Sequence, residues 1–550
     1  MRRIAFASRP LDAPPRSSDI TAASLLARLP SPAAKRWSHA PSIWLHGLRS
    51  HQSTVLMLLL IVSFIVYFCA ADLKGIWNDD AVRLTIANGG IATANLEQRH
   101  PGNAKDVIKA IGTFACQPLY PLIVNRVLRL THSYSVIPIV TANLLIFLFS
   151  AIGIYLLARR LLPTGPRLAA MILYLWNGFA MVHVLQVREY PLILCFLVYN
   201  TFFFYYLLDS SWDPPQAKSW FIAATHCLTA SGAYFTTSWA PFFFWPQAVI
   251  ALLAMRRRVF SGSVVLASLF VSGLSALPWL LRTPKNSALF TIWDKRTPSL
   301  GLLMARLYQG SEYLLIGSLV PSRSLLHFYC CALLLFLLTG LLVFTWRFFR
   351  EGFEIQHIVL TIVGFLALQV AYFFFVEPLS TWPRYFIFYL PYVVLIIPLA
   401  FFRGLVFLSQ PAARRALAYV IFICLASVAG LAQLGNNYQN PYVDHGPDFR
   451  VVYWYLISRV APQDKIVIGA QTNLMAFNYY WPTPRQIQFR YDVVTADQIK
   501  AFPSIWTISY QDEESPAYRA YAEGIQRVGY QLRMTHRLSN VTVRRFQSNP

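Results

Sequence analysis

Charge is the scarcest commodity in this sequence. Asp, Glu, Lys and Arg make up only 13% of the 550 residues, about half the share of an ordinary soluble domain. That rules out a conventional water-facing surface over most of the chain. Acid is scarcer still, with 24 Asp and Glu against 47 Lys and Arg and a formal net charge of +23. In a soluble chain such an excess would suggest nucleic acid. Here 56% of the residues are hydrophobic and the mean hydropathy is +0.45, so the excess is read as basic cytoplasmic loops of a membrane protein, and no nucleic-acid partner is expected. Cysteine is sparse as well: Cys69, Cys116, Cys195, Cys227, Cys330, Cys331 and Cys424, mostly in apolar runs, with no CxxC or Cys/His metal spacing. None follows Asn436, which excludes a disulfide framework there. A GxGxxG phosphate loop is missing too.

What the chain has in abundance is apolar runs long enough to cross a bilayer. Eleven are expected, near 54–71, 134–158, 168–186, 190–208, 218–235, 238–255, 260–281, 325–347, 356–376, 385–402 and 414–433. A charged residue at the centre of such a helix costs roughly 2.5–3.5 kcal/mol on insertion scales, which explains the scarcity of charge. Residues 1–50, rich in Arg, Pro and Ser, read as a disordered basic cytoplasmic tail with no removable signal peptide. With the N-terminus inside, alternate loops should be basic. They carry Arg159, Arg160 and Arg167; Lys218; Arg256, Arg257 and Arg258; Arg347 and Arg350; and Arg403, Arg414 and Arg415. An odd number of spans puts the C-terminus outside.

The expected architecture is therefore a polytopic α-helical membrane module over 51–435 and a small extracytoplasmic α/β domain over 436–550. Two outer loops are long. The first, 72–133, holds amphipathic pieces at Asp80–Asn88 and Val107–Leu130; the second, 282–324, is polar with mixed charge. In the C-terminal part, Phe449–Val460 and Ala517–Val528 read as helices, and Lys465–Gly469, Ser504–Ser509 and Asn540–Arg545 as strands. Asn540-Val541-Thr542 is a glycosylation sequon by pattern.

The most informative segment is Trp77-Asn78-Asp79-Asp80-Ala81, which sets two carboxylates at the outer membrane face. One role for them is structural: Asn78 or Asp79 caps a helix that Gly89 ends, and acids suit its first turn. The other is chemical: one Asp is a general base for an acceptor hydroxyl or amine. Helix neighbours point about 100° apart, so only one of the two can face the reacting atom. Other outer-facing candidates are Gln117-Pro118-Leu119-Tyr120-Pro121, Arg188-Glu189-Tyr190-Pro191 and Trp382-Pro383-Arg384-Tyr385. Trp, Tyr and Arg also anchor helices at the headgroup level, which is the bland reading of Tyr120, Tyr190 and Trp382. Arg384 runs against the positive-inside bias, and a guanidinium suits a lipid phosphate; Glu377 is an alternative structural partner for it.

In order and membrane side these segments resemble the GT-C superfamily of membrane glycosyltransferases, in particular the glycosyltransferase family 39 type, with protein O-mannosyltransferases and aminoarabinose transferases. That branch has an Asp-Glu pair in its first outer loop, matched by Asp79-Asp80. It has a Pro-Leu-Tyr-Pro stretch before span two, matched by Pro118–Pro121. An Arg/Glu-Tyr-Pro-like segment opens span four, matched by Arg188–Pro191. An Arg-Tyr precedes a late apolar run containing a Pro, matched by Arg384-Tyr385 and Pro391. The likeness covers roughly residues 54–510. It departs in two places: Asp80 stands where Glu is usual, and Ala233 precedes Tyr234 where many members have His-Tyr, with His226 placed inside a span.

The resemblance implies a polyprenyl-phosphate sugar as donor and an extracytoplasmic acceptor, with inversion at the anomeric carbon. Asp79 would be the base and Asp80 its support. Arg384 and Tyr385 would hold the donor phosphate, helped by Lys74 or Arg83; Arg188, Glu189, Tyr190, Gln117 and Tyr120 would complete the substrate site. No cofactor is predicted. A divalent metal beside paired carboxylates stays open, although the resembled branch is mostly metal-independent. The bacterial inner membrane is the expected location. Two other readings compete: a transporter or lipid-linked sugar flippase, and a non-catalytic scaffold. Against transport, the spans carry almost no charge near their centres and show no convincing repeat.

Overall fold

The computed structural model describes residues 52–71, 78–89, 102–114, 117–132, 136–209, 217–256, 258–281, 298–316, 325–375, 383–407, 414, 417–418, 420–425, 427–428, 449–468, 477, 481, 487–489, 502–509, 516–538 and 541–548. The basic tail, Lys74, Glu377, Trp382, Asn540 and most of the expected span at 414–433 lie outside them.

The chain is a multi-pass helical membrane protein with a small sheet domain at its C-terminal end. Seven described helices are long and apolar enough to cross a membrane. They are α1 (Gln52–Ala71), α5 (Ile137–Leu161), α8 (Tyr190–Leu208), α11 (Val259–Leu280), α13 (Leu325–Trp346), α14 (Phe353–Phe375) and α15 (Leu390–Phe407). The span expected at 168–186 is broken. It consists of α6 (Thr164–Leu175) and α7 (Gly178–Val184), which meet at 46°. The break lies at Trp176-Asn177, where the Asn177 side chain accepts a hydrogen bond from the Ala180 N–H at 2.9 Å and so starts a new helix. Two further expected spans correspond to α9 (Ala217–Thr236), which is more polar, and α10 (Pro241–Met255), which is only 15 residues long.

Arg160, Arg258 and Arg403 gather at one end of this bundle. Arg160 meets Glu354 at 3.0 Å and Asp209 at 3.3 Å. Arg403 makes a forked contact with Glu351, at 2.6 and 2.9 Å. Arg258 donates to the Leu208 carbonyl. These contacts tie together the ends of α5, α8, α11, α14 and α15. Among the described residues the opposite end carries three short helices, α2 (Asn78–Ala87), α3 (Ala104–Phe114) and α4 (Leu119–Thr131). The amphipathic piece expected at 107–130 is thus two helices, separated ahead of Pro118. The segment 282–324, expected to be a polar loop, contains the 17-residue helix α12 (Leu300–Ile316). Its Leu303, Leu314 and Leu315 are buried among scattered polar residues, so its apolar face was not evident as a continuous run.

Among the described residues five strands form one sheet in the order β2-β1-β3-β5-β4. They are β1 (Lys465–Ile468), β2 (Ile487–Phe489), β3 (Ser504–Ser509), β4 (Tyr530–Leu538) and β5 (Val541–Ser548). The first three run parallel; β5 joins β3 antiparallel and turns back on β4. Helices α16 (Phe449–Ile457) and α17 (Pro516–Arg527) cover opposite faces: Phe449, Val452 and Leu456 lie in one buried cluster and Tyr521 and Ile525 in another. The first of these clusters is continuous with Ala81, Leu84, Ile86, Val107, Tyr120 and Val124 of α2–α4. The sheet domain therefore shares a core with the short helices at the end of the bundle away from the basic loops.

Candidate functional site

The site is built where α2 lies against the bend that links α7 to α8, residues 185–189. Helix α2 ends as the sequence reading expects. Gly89 has φ +74, its N–H reaches the Ile86 carbonyl at 2.9 Å, and a Cβ there would stand 2.5 Å from the Asp106 Cβ. Buried Asn125 of α4 donates to the carbonyls of Ala87 (2.7 Å) and Gly102 (3.0 Å), which fixes the end of α2. Asn103 and Asp106 cap α3 reciprocally, each side chain accepting from the other's N–H at 3.1 Å.

Two ion pairs join α2 to the bend. Asp80, almost wholly buried, accepts a hydrogen bond from the Val187 N–H at 3.2 Å, and its Oδ1 lies 3.8 Å from Arg188 Nε. One turn on, Arg83 donates to Glu189 Oε1 at 2.8 Å. Asp80 and Arg83 stand three residues apart and so share a face of α2. Asp79 is the second residue of that helix, and position 79 lies on a neighbouring face about 100° round; its side chain lies outside the described ones.

Behind these pairs runs a hydrogen-bonded chain. The Tyr120 hydroxyl and the Asn143 side-chain amide lie 3.0–3.3 Å apart. Asn143 donates on to the Gln186 carbonyl at 2.7 Å, and Gln186 Oε1 meets His183 Nδ1 at 2.9 Å. His183 packs edge-on to Phe179 and against Tyr190, with centroids 4.6 and 4.4 Å away. Burial holds the Tyr120 hydroxyl far above the usual phenol range. The Asn143 hydrogen bond works against this, while the Glu189 and Asp80 carboxylates add to it. Tyr120 is therefore a neutral hydrogen-bonding group at any physiological pH.

Arg384 and Tyr385 reach the same end on a 3-10 segment, Pro383–Tyr389, that leads into α15. The Arg384 guanidinium stands 5.5 Å from the Tyr385 ring centroid, and Tyr385 packs against Trp239 at 5.3 Å. Phe388 of this segment packs against Tyr190 with ring centroids 6.0 Å apart, so the 3-10 segment and the bend border one site. Gln117 lies just ahead of α4, with its Oε1 buried.

The structure thus brings Asp80, Arg83, Tyr120, Arg188, Glu189, Tyr190 and Arg384 together. It leaves Lys74 outside the described residues. It commits Arg83 to Glu189, whereas the sequence reading made Arg83 a helper at the donor phosphate. Asn143, His183 and Gln186 were missed. A lone His and Gln three residues apart at the end of an apolar run were the available signal. Among the described residues no group of three or more His, Cys, Asp or Glu could hold a metal ion.

No protein-family model matches the chain, and no curated protein matches it. Solved structures do. ArnT from Cupriavidus metallidurans in the apo state is similar with a TM-score of 0.56 and 12% identity, over 90% of this chain and 98% of that one. The same values hold for ArnT bound to undecaprenyl phosphate. The archaeal oligosaccharyltransferase AglB from Archaeoglobus fulgidus, in complex with an inhibitory peptide and a dolichol-phosphate, gives 0.48 and 11%, over 90% and 74%. What the ArnT likeness establishes is architecture: from the membrane bundle through to the sheet domain, the chain has an ArnT-like fold.

Proposed function

We propose that this protein is an inverting glycosyltransferase that moves a sugar from a polyprenyl-phosphate carrier to an acceptor on the extracytoplasmic side of a bacterial inner membrane. The observation that carries this reading is the gathering of Asp80, Glu189, Arg83, Arg188, Tyr120 and the segment that carries Arg384 at the bundle end away from the basic loops. A donor that cannot leave the bilayer must react at such a face. The fold likeness to ArnT, one structure of which holds undecaprenyl phosphate, supports the choice of donor.

The chemistry follows from what the carrier provides. A phosphate ester departs as an anion, so the site needs a base and a cation more than a general acid. Asp79 takes the proton from the acceptor hydroxyl or amine. The freed electron pair attacks the anomeric carbon from the face opposite the phosphate, the bond from that carbon to the phosphate oxygen breaks, and the lipid phosphate leaves towards Arg384. Attack from the opposite face inverts the configuration. Asp80 keeps its carboxylate for Val187 and Arg188 and supports the helix that carries Asp79.

The transport reading has one observation in its favour, a polar group of Asn200, His226, Gln247 and Ser268 buried inside the bundle. It is closed on itself: His226 bonds Ser268 at 2.6 Å and Gln247 at 3.1 Å, and Gln247 donates to Asn200 at 2.7 Å. A substrate path needs groups that open to a ligand, so the transferase reading is preferred. The test compares lipids from cells with the wild type, Asp79→Asn or no protein, by mass spectrometry. A polyprenyl-phosphate sugar should build up in the last two, and one envelope glycan should lose the same residue in both. Equal profiles for wild type and Asp79→Asn would remove Asp79 as the base.

A further inference from the structure

Arg83, Arg188 and Glu189, expected at the substrate site, take part in pairs across α2 and the bend. We propose that they are positioning residues: with Asp80 they form a crossed latch that sets the roll and the register of α2, and through it the placing of position 79. The inference rests on the transferase reading above for what position 79 does, but not for the latch itself.

The geometry supports this in three steps. A single ion pair would fix one point on this face of α2 and leave its roll to the packing of Ala81, Leu84 and Ile86. Two contacts on one face, at Asp80 and Arg83, lie a helical rise of about 4.5 Å apart and fix roll and slide together. The order of charges then specifies the register. Along α2 the order is acid then base; along the bend it is base then acid, Arg188 then Glu189. A slip that exchanged partners would set Asp80 against Glu189 and Arg83 against Arg188, both like-charged. Finally, the contacts lie out of water. The side chains of Asp80 and Arg188 are 4% and 6% exposed, and those of Glu189 and Arg83 16% and 20%, so solvent screens the first pair little and the second only in part. The N–H of Val187 on Asp80 adds a backbone tie that a side chain directed at a ligand would not need.

The full-length protein, purified in detergent, tests this in two ways. Hydrogen exchange of amides 78–89 reads the latch without any substrate. Glu189→Gln, which keeps the shape and removes the charge, should speed exchange there by about tenfold or more, and the swap of Arg83→Glu with Glu189→Arg should restore protection. Arg83→Lys, which keeps the charge, is the milder companion should Glu189→Gln not fold, and it should fall between the two. Turnover of the polyprenyl-phosphate sugar that accumulates in cells without the protein reads the positioning. Glu189→Gln should lower kcat by about tenfold to a hundredfold with KM for that lipid nearly unchanged. Unchanged exchange in both Glu189→Gln and Arg83→Lys overturns the latch. A raised KM with kcat intact overturns the positioning role and makes Glu189 a ligand contact. A wild type that turns over no lipid-linked sugar sinks the transferase reading alone, and the exchange data still decide the latch.

Discussion

Arg188→Met gives the sharpest test of how the site is held. It keeps most of the side-chain volume and removes the guanidinium, leaving Asp80 buried with 3% of its surface exposed. Breaking a buried pair by removing one partner costs about 3–5 kcal/mol, because the other charge stays behind without compensation. Here the Val187 N–H still serves Asp80 at 3.2 Å, and the ion pair is not short at 3.8 Å. The expected loss is therefore at the lower end, about 3 kcal/mol. Asp80→Asn in the same chain removes the stranded charge and keeps an oxygen for Val187. The double variant should fall short of the sum of the two single losses by about 1–3 kcal/mol. The assay is equilibrium unfolding of the purified protein by SDS titration, followed by tryptophan fluorescence, with all four members of the cycle. A loss below about 0.5 kcal/mol for Arg188→Met, as for an ordinary surface change, or strict additivity in the cycle, would refute the reasoning.

Three further outcomes are expected. Gly89→Ala should cost at least about 1 kcal/mol, since φ +74 disfavours any side chain and the new Cβ would press on Asp106; faster exchange over 78–114 would report it. Tyr120 is raised far above its ordinary value of about 10, so it stays protonated in the folded protein while the unfolded chain ionises. Its contribution to stability is complete below pH 10 and is lost as the pH climbs beyond that; Tyr120→Phe should lessen the alkaline loss in unfolding titrations and leave the profile below pH 9 parallel to the wild type's. In the sheet domain, buried Asp464 accepts from the Trp506 indole at 2.9 Å and from the Ala461 N–H at 3.0 Å. Asp464→Ala strands both donors and should destabilise the domain by about 2–3 kcal/mol, seen as earlier proteolysis of the C-terminal part.

The spans were legible because hydrocarbon imposes a simple demand: about twenty apolar residues without charge, which α1, α5 and α8 meet plainly. What blurred the reading was helix whose apolar residues are interrupted by charged and polar ones. Helix α12 mixes Arg306, Tyr308, Gln309 and Glu312 with its leucines, and only the fold reveals that Arg306 and Glu312 are buried. Strand β4 escaped notice because it lies at the edge of the sheet. Its Gln531, Arg533, Thr535, His536 and Arg537 are exposed, so no period-two pattern survives in the sequence. At the site, Asp80, Arg83, Arg188 and Glu189 were each visible in the sequence as polar residues next to apolar runs. Their partnership was not, since the hydrogen bond between Val187 and Asp80 spans 107 positions and no local spacing encodes it. Asn143, His183 and Gln186 were hidden for the opposite reason: single polar residues inside apolar runs look like satisfied interior groups until their neighbours are known.

The break at Asn177 bears on how the protein is assembled. One face of that asparagine is satisfied at once, by Ala180 in the next turn. The other donates to the Leu314 carbonyl at 2.7 Å, in a helix made 137 residues later. A nascent chain emerging from the ribosome thus inserts its kinked span well before the partner that completes it exists. Until α12 arrives, the Asn177 amide must be served by water or by the insertion machinery. A chain cut short after α11 would lack the carbonyl on which the Asn177 amide closes, so this joint is completed out of the order in which the chain is made.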